Sequence, residues 1–337
     1  MIARLTRILL LLQVLVAGLI GYAVSRHMPS APVWLATGCG IGFVFCIRAL
    51  IAANNFRLAR SFGDEVPVPR LGWRRAARMY LRELAATLIS SSWNMPFRGI
   101  GAAPTIFPNS LPVLLIHGYG CNSGYWRCLC RHLRQARVSF QAVDLEPPLA
   151  DIDSYVPQIS AAIASLCTAS GQSRVIIVGH SMGGLVARAW LRANGSDRIA
   201  RLITLGTPHG GTGLARFGVG ENSRQMRRTG RTPHSICSPW LTALKASGST
   251  GETLLVSIYS RHDNIVAPPA SAVVANARNI AFDGIGHVAL ASDPAVIACV
   301  LAEIGDARWM DADARTPPLH SGDDAQGAMS THSKPSC

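Results

Sequence analysis

The sequence predicts an α/β fold: a mostly parallel sheet covered by helices on both faces and preceded by two transmembrane helices. Two long uncharged runs lie near the N-terminus, and short apolar runs alternate with helical patterns from residue 111 onward. Short buried strands that alternate with helices are typical of parallel sheets. We divide the chain into a transmembrane hairpin (1–55), a basic juxtamembrane segment (56–110), an α/β domain (111–304) and a disordered tail (305–337).

The predicted hairpin consists of residues 8–25 and 28–47, which hold 18 and 20 consecutive uncharged residues. Each run is long enough to cross the hydrocarbon core of a bilayer as a helix. A cleaved signal peptide is the alternative for the first run, because Arg4 and Arg7 precede it. No small-x-small cleavage site is evident, and a second span follows directly, so we expect a multi-pass anchor.

Arginines predict the orientation of this anchor. They flank both outer ends of the hairpin, whereas the short loop between the spans holds only Arg26 and His27. Positively charged flanks stay on the cytoplasmic side of a membrane. The pattern predicts an inner-membrane protein whose α/β domain lies in the cytoplasm.

Residues 73–92 repeat apolar side chains at helical spacing, with arginines mostly off the apolar stripe. The stripe consists of Trp73, Ala77, Tyr80, Leu81, Leu84 and Leu88. A basic amphipathic helix beside a membrane can lie among the lipid head groups. It can equally pack on the globular domain as a surface helix, and the sequence leaves both possibilities open.

Charge and cysteine content narrow the class of protein. The net charge is +13, but no nucleic-acid-binding motif accompanies it, so we expect no nucleic-acid partner. The nine cysteines show neither zinc-ligand spacing nor a disulfide framework, which favours free thiols. No obligate protein partner is evident from the sequence.

The α/β domain contains six strand-like runs and four helical patterns. The predicted strands are Val113–Ile116, Phe140–Val143, Val175–Val178, Leu202–Leu205, Leu254–Tyr259 and Asn279–Phe282. The predicted helices are Tyr125–Arg134, Ile152–Ala169, Met182–Ala193 and Pro294–Ile304. Parallel sheets of this kind place reactive groups in the loops beyond the carboxyl ends of their strands.

A serine follows the third predicted strand in the sequence GHSMG, which comprises Gly179, His180, Ser181, Met182 and Gly183. A serine on a sharp strand-to-helix turn is a candidate nucleophile. Side chains at the two glycines would crowd such a turn, and Gly184 lets the helix approach the sheet. A purely structural turn is the alternative.

Two later strand ends supply the partners that a nucleophilic serine needs. His287 follows the last strand and can accept a proton near neutral pH. Asp263 follows the fifth strand and can orient the histidine. Asp144 and Asp283 are the rivals, but Asp144 precedes the serine and Asp283 lies only four residues before His287. The order serine, aspartate, histidine is that of one serine-hydrolase architecture.

The first strand end supplies a site for a developing negative charge. His117, Gly118 and Tyr119 follow this strand. The backbone N–H of Tyr119, together with that of Met182 after the serine, would form an oxyanion hole.

These segments resemble the α/β-hydrolase superfamily, and within it the bacterial triacylglycerol lipases and related esterases. The resemblance covers about residues 111–304 and rests on PVLLIHGYG, VGHSMGGLVAR, LITLGTPHGGT, SIYSRHDNIV and GIGHVAL. It implies an acyl-enzyme mechanism with these roles: Ser181 as nucleophile, His287 as base and then acid, Asp263 as its orienting carboxylate, and Tyr119 and Met182 as oxyanion donors.

Two features depart from the secreted lipases. The lid or cap region, residues 213–251, is short and basic in its first half, holding Arg216, Arg224, Arg227, Arg228 and Arg231. No acidic residue follows His287 directly, where a calcium ligand is expected, so we do not expect calcium. The triad mechanism needs neither a metal nor an organic cofactor, so we expect none.

The sequence therefore predicts a membrane-anchored serine hydrolase that cleaves carboxylic esters, with a lipidic ester as its substrate. Acyl transfer to an alcohol on the same triad is one alternative. A catalytically idle hydrolase fold that serves as a membrane-bound binding module is the other.

Overall fold

Two long helices, α1 (Ile2–His27) and α2 (Val33–Arg60), form an N-terminal hairpin. The structure is a computed structural model and describes residues 1–62, 68–229, 236–247 and 254–315. The backbones of the two helices approach closely at Gly40, where an added Cβ would lie 2.0 Å from the carbonyl oxygen of Ala17. Small residues allow this close packing of apolar helices. Both helices are long and apolar enough to cross a membrane.

The juxtamembrane segment folds as helix α3 (Trp73–Ile89), a π-helical turn (Ser90–Asn94) and the short helix α4 (Met95–Phe97). α3 packs on the α/β domain and buries Met79, Glu83 and Leu84. The expected apolar stripe coincides only in part with this buried face, because Leu84 is buried but Trp73 is 76% exposed and Leu81 is 61% exposed. The apolar pattern could not identify the face because its central residue, Glu83, is charged.

The predicted parallel sheet is confirmed. The strands are β1 (Val113–Ile116), β2 (Phe140–Val143), β3 (Val175–His180), β4 (Ile199–Leu205), β5 (Arg228–Thr229), β6 (Ile236–Cys237), β7 (Leu255–Ser260) and β8 (Arg278–Phe282). Six of them form the parallel sheet in the order β2-β1-β3-β4-β7-β8, and β5 pairs antiparallel with β6. The strand order reverses between β1 and β3, so a crevice opens beyond the carboxyl ends of these two strands.

Helices cover both faces of the sheet, as predicted. The remaining helices are α5 (Arg127–Gln135), α6 (Val156–Ser170), α7 (Met182–Asn194), α8 (Glu221–Gln225), α9 (Pro239–Ala246) and α10 (Pro294–Arg315). Val113 and Leu115 of β1 belong to the core under α5 and α10. Leu114 and Ile116 belong to the core under α6, α7 and α9. Alternate side chains of a strand point to opposite faces, so one four-residue strand contributes to both cores.

The expected start of the tail needs correction, and parts of the expected cap region lie outside the described residues. α10 continues to Arg315, so the tail expected from residue 305 begins as helix, and residues 316–337 lie outside the described ranges. The cap region contains a 3₁₀ turn (Gly213–Phe217), α8, β5, β6 and α9, while 230–235 and 248–251, with Arg231, lie outside the described residues.

Candidate active site

Ser181 occupies a strained turn between β3 and α7. Its backbone has φ 54° and ψ −124°, a conformation that side-chain-bearing residues rarely adopt. The turn is held on both sides: the Ser181 N–H donates to the Leu205 carbonyl at 2.8 Å, and the Thr207 hydroxyl donates to the Ser181 carbonyl at 2.9 Å. Such strain, of about 1–3 kcal/mol, persists only where the surroundings fix it.

The glycines around Ser181 are required by space. A Cβ at Gly183 would lie 2.2 Å from the Ile116 carbonyl oxygen. A Cβ at Gly184 would lie 2.1 Å from the Thr207 hydroxyl oxygen. The N-terminus of α7 therefore lies directly against the end of β1, which brings the Ser181 turn to the crevice where the strand order reverses.

Asp263 and His287 are joined by a buried hydrogen bond of 2.8 Å between Asp263 Oδ2 and His287 Nδ1. The other carboxylate oxygen, Oδ1, accepts the N–H groups of Ile265 and Val266, each at 2.8 Å. The backbone N–H of His287 donates to Asn264 Oδ1 at 2.8 Å. The loop after β7 thus fixes the Asp263 carboxylate and also binds the backbone of His287. Because Nδ1 donates to the carboxylate, the Nε2 lone pair is free to accept a proton.

The rival aspartates make other contacts. Asp283 Oδ1 accepts from Arg261 Nε at 2.8 Å. Asp144 Oδ1 accepts the backbone N–H of Ser123 at 2.6 Å. Of the three candidate carboxylates, Asp263 is the one that contacts His287.

The surroundings of His287 set its proton affinity. Burial by itself lowers the pKa of His287, but the negative charge and hydrogen bond of Asp263 outweigh it, and Glu83 adds to their effect, so the pKa is raised above its ordinary value of 6.5. The neighbouring His180 behaves differently, because burial lowers its pKa well below 6.5. Its Nε2 lies 3.2 Å from the His287 carbonyl oxygen, and neutral His180 therefore donates to that carbonyl.

The loop after β1 is shaped by His117. The Leu145 N–H donates to His117 Nε2 at 3.0 Å, so Nδ1 carries the proton and donates to the Gly118 carbonyl at 2.9 Å. Burial lowers the pKa of His117, which keeps this tautomer neutral. Within the described part of the chain, the backbone N–H groups of Tyr119 and Met182 donate to no protein acceptor. Both remain available to a ligand.

Ser181 opens into a cavity of about 610 Å³. The serine is only 7% exposed, so it is reached through this cavity. No hydrogen bond joins its hydroxyl to His287 among the described residues. Catalytic hydrogen bonds are often long or misaligned without substrate and shorten in the substrate complex.

Glu83 of α3 is a functional candidate that the sequence analysis did not single out. It is 1% exposed, and its carboxylate accepts the N–H groups of Val288 at 3.0 Å and Ala289 at 2.9 Å. These amides directly follow His287. Burial raises the pKa of Glu83, although the two amide hydrogen bonds oppose the shift. The sequence held one signal that could have pointed to Glu83, because it is the single acidic residue of the arginine-rich helix α3.

Comparisons with known proteins match the same part of the chain. Residues 112–229 match the model of the α/β hydrolase fold family. A triacylglycerol lipase of Burkholderia plantarii is 25% identical over 168 residues, which cover 48% of this chain and 45% of that protein. A GPI inositol-deacylase of Candida albicans is 28% identical over 182 residues, covering 48% of this chain and 40% of the relative. The chain thus matches less than half of the length of these curated relatives.

The lipase BlEst2 of Bacillus licheniformis is a similar solved structure, with a TM-score of 0.49 and 16% identity over 59% of this chain and 94% of that one. The family match contains β1 to β4 and the serine turn after β3, and β7 and β8 complete the parallel sheet beyond it. These strands together form the α/β-hydrolase fold.

Proposed function

We propose that the protein is a serine hydrolase that cleaves carboxylic esters. The observation that carries this proposal is the strained Ser181 turn at the reversal of the strand order, together with the His287 imidazole, which is bound to a buried carboxylate. The His287 ring lies 4.6 Å from that of His180, the residue before Ser181. A turn with no chemical role has no need of this pairing or of backbone strain.

The geometry supports a two-step acyl transfer to water. His287 Nε2 takes the Ser181 hydroxyl proton while Oγ attacks the ester carbonyl carbon, and Asp263 stabilises the resulting imidazolium. The N–H groups of Tyr119 and Met182 stabilise the oxyanion. The intermediate expels the alcohol, which takes the proton from His287. His287 then deprotonates a water molecule that attacks the acyl-enzyme. The second tetrahedral intermediate releases the acid by breaking its bond to Ser181 Oγ, which takes the proton back from His287.

Three features support a lipidic ester as the substrate and a membrane as its location. Two of the helices are long and apolar enough to span a bilayer. The cavity at Ser181 is lined largely by apolar side chains. Relatives that match about half of this chain or less are named triacylglycerol lipases. We place the protein in the inner membrane, with its catalytic domain in the cytoplasm.

Fluorophosphonate labelling of membranes tests this function, because the reagent reacts with an activated serine. We expect wild type to be labelled and Ser181→Ala not to be, with ester hydrolysis reduced by at least about 10⁴-fold in the variant. Labelling of both proteins would identify a different nucleophile. A folded wild type that neither reacts nor hydrolyses esters would refute the proposed function.

A further inference from the structure

The wall of the Ser181 cavity includes part of the N-terminal hairpin. Ser181 and Tyr119 line the cavity on the side of the sheet, and apolar side chains of the cap region and of the loop after β7 line much of the remainder. Asn54, Asn55 and Leu58, in the last two turns of α2, close another side. These turns belong to the same continuous helix as the second apolar span.

Contacts at the end of α2 fix this wall on the catalytic domain. The Phe62 ring is only 7% exposed and packs against Gly213, where an added Cβ would lie 2.2 Å from the ring. Arg216 stacks over the same ring at 5.1 Å. Ala59 and Phe62 also form a small apolar cluster with Ala267 and Leu214. The helix therefore contributes a fixed side of the cavity rather than a tether that swings past it.

The α2 residues that line the cavity differ in polarity. Leu58 is half-buried and presents an alkyl side chain, like its apolar neighbours Leu214 and Met226. Asn54 is exposed at the rim, and its side-chain oxygen accepts from Arg57 Nη2 at 2.9 Å. A hydrocarbon chain suits the inner part, because burying an alkyl chain among alkyl side chains removes both from water.

We propose that the last two turns of α2 form one side of the acyl-chain pocket and set the chain length that the enzyme accepts. This inference rests on the proposed function and deepens it: the substrate is a membrane lipid ester whose fatty acyl chain lies between Leu58 and the cap region. The membrane anchor is then also a part of the substrate site.

The test compares 4-nitrophenyl acetate, octanoate and palmitate as substrates for Leu58 variants of the full-length protein in detergent. Leu58→Phe narrows the pocket, so we expect the ratio of kcat/KM for palmitate to kcat/KM for acetate to fall about tenfold or more. Leu58→Ala widens the pocket and is expected to shift the preference toward the longer chain. Leu50→Phe is the matched control, since Leu50 lies on the same helix, is 64% exposed and does not line the cavity.

Acetate hydrolysis and fluorophosphonate labelling separate this inference from the function on which it rests. Normal acetate hydrolysis with the same chain-length profile in both Leu58 variants would overturn the pocket assignment and leave the hydrolase intact. A wild type that hydrolyses none of the three esters and is not labelled would overturn both. Equal changes in the Leu50 and Leu58 variants would also overturn the pocket assignment, because the effect would not depend on the cavity.

Discussion

The His287 side chain connects the local electrostatics of the site to a measurable property. A raised pKa means that the imidazole loses its proton, and becomes a base, only above its ordinary value of 6.5. Activity should therefore rise with pH through a limb that lies above about 6.5. The pKa of His287, and with it the limb, lies higher because the Asp263 carboxylate stabilises the protonated ring.

Replacing Asp263 with asparagine tests this coupling. The amide removes the negative charge and donates to Nδ1, so His287 takes the tautomer that cannot accept the serine proton. We expect kcat to fall by roughly 10⁴-fold and the remaining acid limb of kcat/KM to move to lower pH. A pH series of initial rates measures both changes.

Asp283→Asn is the matched control for that experiment. Asp283 forms its ion pair with Arg261 at 2.5 Å rather than a contact with His287. We expect its pH profile to coincide with that of wild type. If the acid limb of kcat/KM moved in Asp283→Asn and stayed in place in Asp263→Asn, the assignment of the two carboxylates would be reversed.

The sequence predicts Ser181, Asp263 and His287 as partners because each follows a strand of a parallel sheet, and the structure brings Asp263 and His287 into contact. The topology then brings such positions to one edge. The sequence was not sufficient to find Asn264, which binds the His287 backbone. Asparagine in a loop most often caps its own turn, and only the folded chain shows that this one reaches another loop.

At the scale of the elements, α3 shows why the spacing of apolar residues could not fully predict which face of a helix is buried. Its buried face centres on Glu83, whose charge is satisfied by the Val288 and Ala289 amides beyond the reach of any local pattern. A Cβ at Gly286 would lie 2.4 Å from Glu83 Oε2, so the histidine loop lies directly against the carboxylate. The juxtamembrane helix therefore positions the loop that carries His287.

Glu83→Gln tests this positioning role. Glutamine retains one acceptor oxygen but removes the negative charge near His287 and leaves one amide without its acceptor. We expect the acid limb of kcat/KM to move to lower pH, by less than in Asp263→Asn, because Asp263 contributes more to the raised pKa of His287. The free energy of unfolding should fall by about 1–3 kcal/mol for the unpaired amide.

Glu303→Gln is the corresponding control. Glu303 is also a buried glutamate, 2% exposed, and pairs with Arg201 at 2.7 Å away from the candidate site. Its substitution should lower stability without moving the pH limb. If both glutamate variants lose stability and neither moves the limb, Glu83 has only a structural role.

At the scale of the whole molecule, the hairpin packs on the juxtamembrane segment, and Phe62, two residues beyond α2, packs on Gly213 of the α/β domain. Arg7 Nε of α1 donates to the Pro96 carbonyl at 2.8 Å, and Arg48 of α2 donates to the Ser92 hydroxyl at 2.7 Å. Sequence composition could predict the two apolar helices and the α/β domain separately. Their contacts depend on individual side chains far apart in the chain, so composition could not indicate that the two parts share a surface.

An exposed apolar corner lies where these parts meet. Ile89, Trp93 and Phe97 are 57%, 52% and 51% exposed, and Arg98 stacks over the Trp93 ring at 5.1 Å. Aromatic and arginine side chains in this arrangement are typical of the interface between lipid and water. We therefore predict that the α/β domain rests against a membrane surface on the side of Arg4 and Arg7.

Reporter fusions test this orientation. Arginines flank the outer ends of the hairpin and are scarce in the loop between its helices, so we expect both ends of the chain in the cytoplasm. An alkaline phosphatase joined after the last residue should be inactive, because it matures only outside the cytoplasm, and a fluorescent protein at the same place should be bright. The same phosphatase inserted in the loop at Ser30 should be active. An active phosphatase at the C-terminus would place the catalytic domain outside the cytoplasm, where its lipid esters would come from the other leaflet.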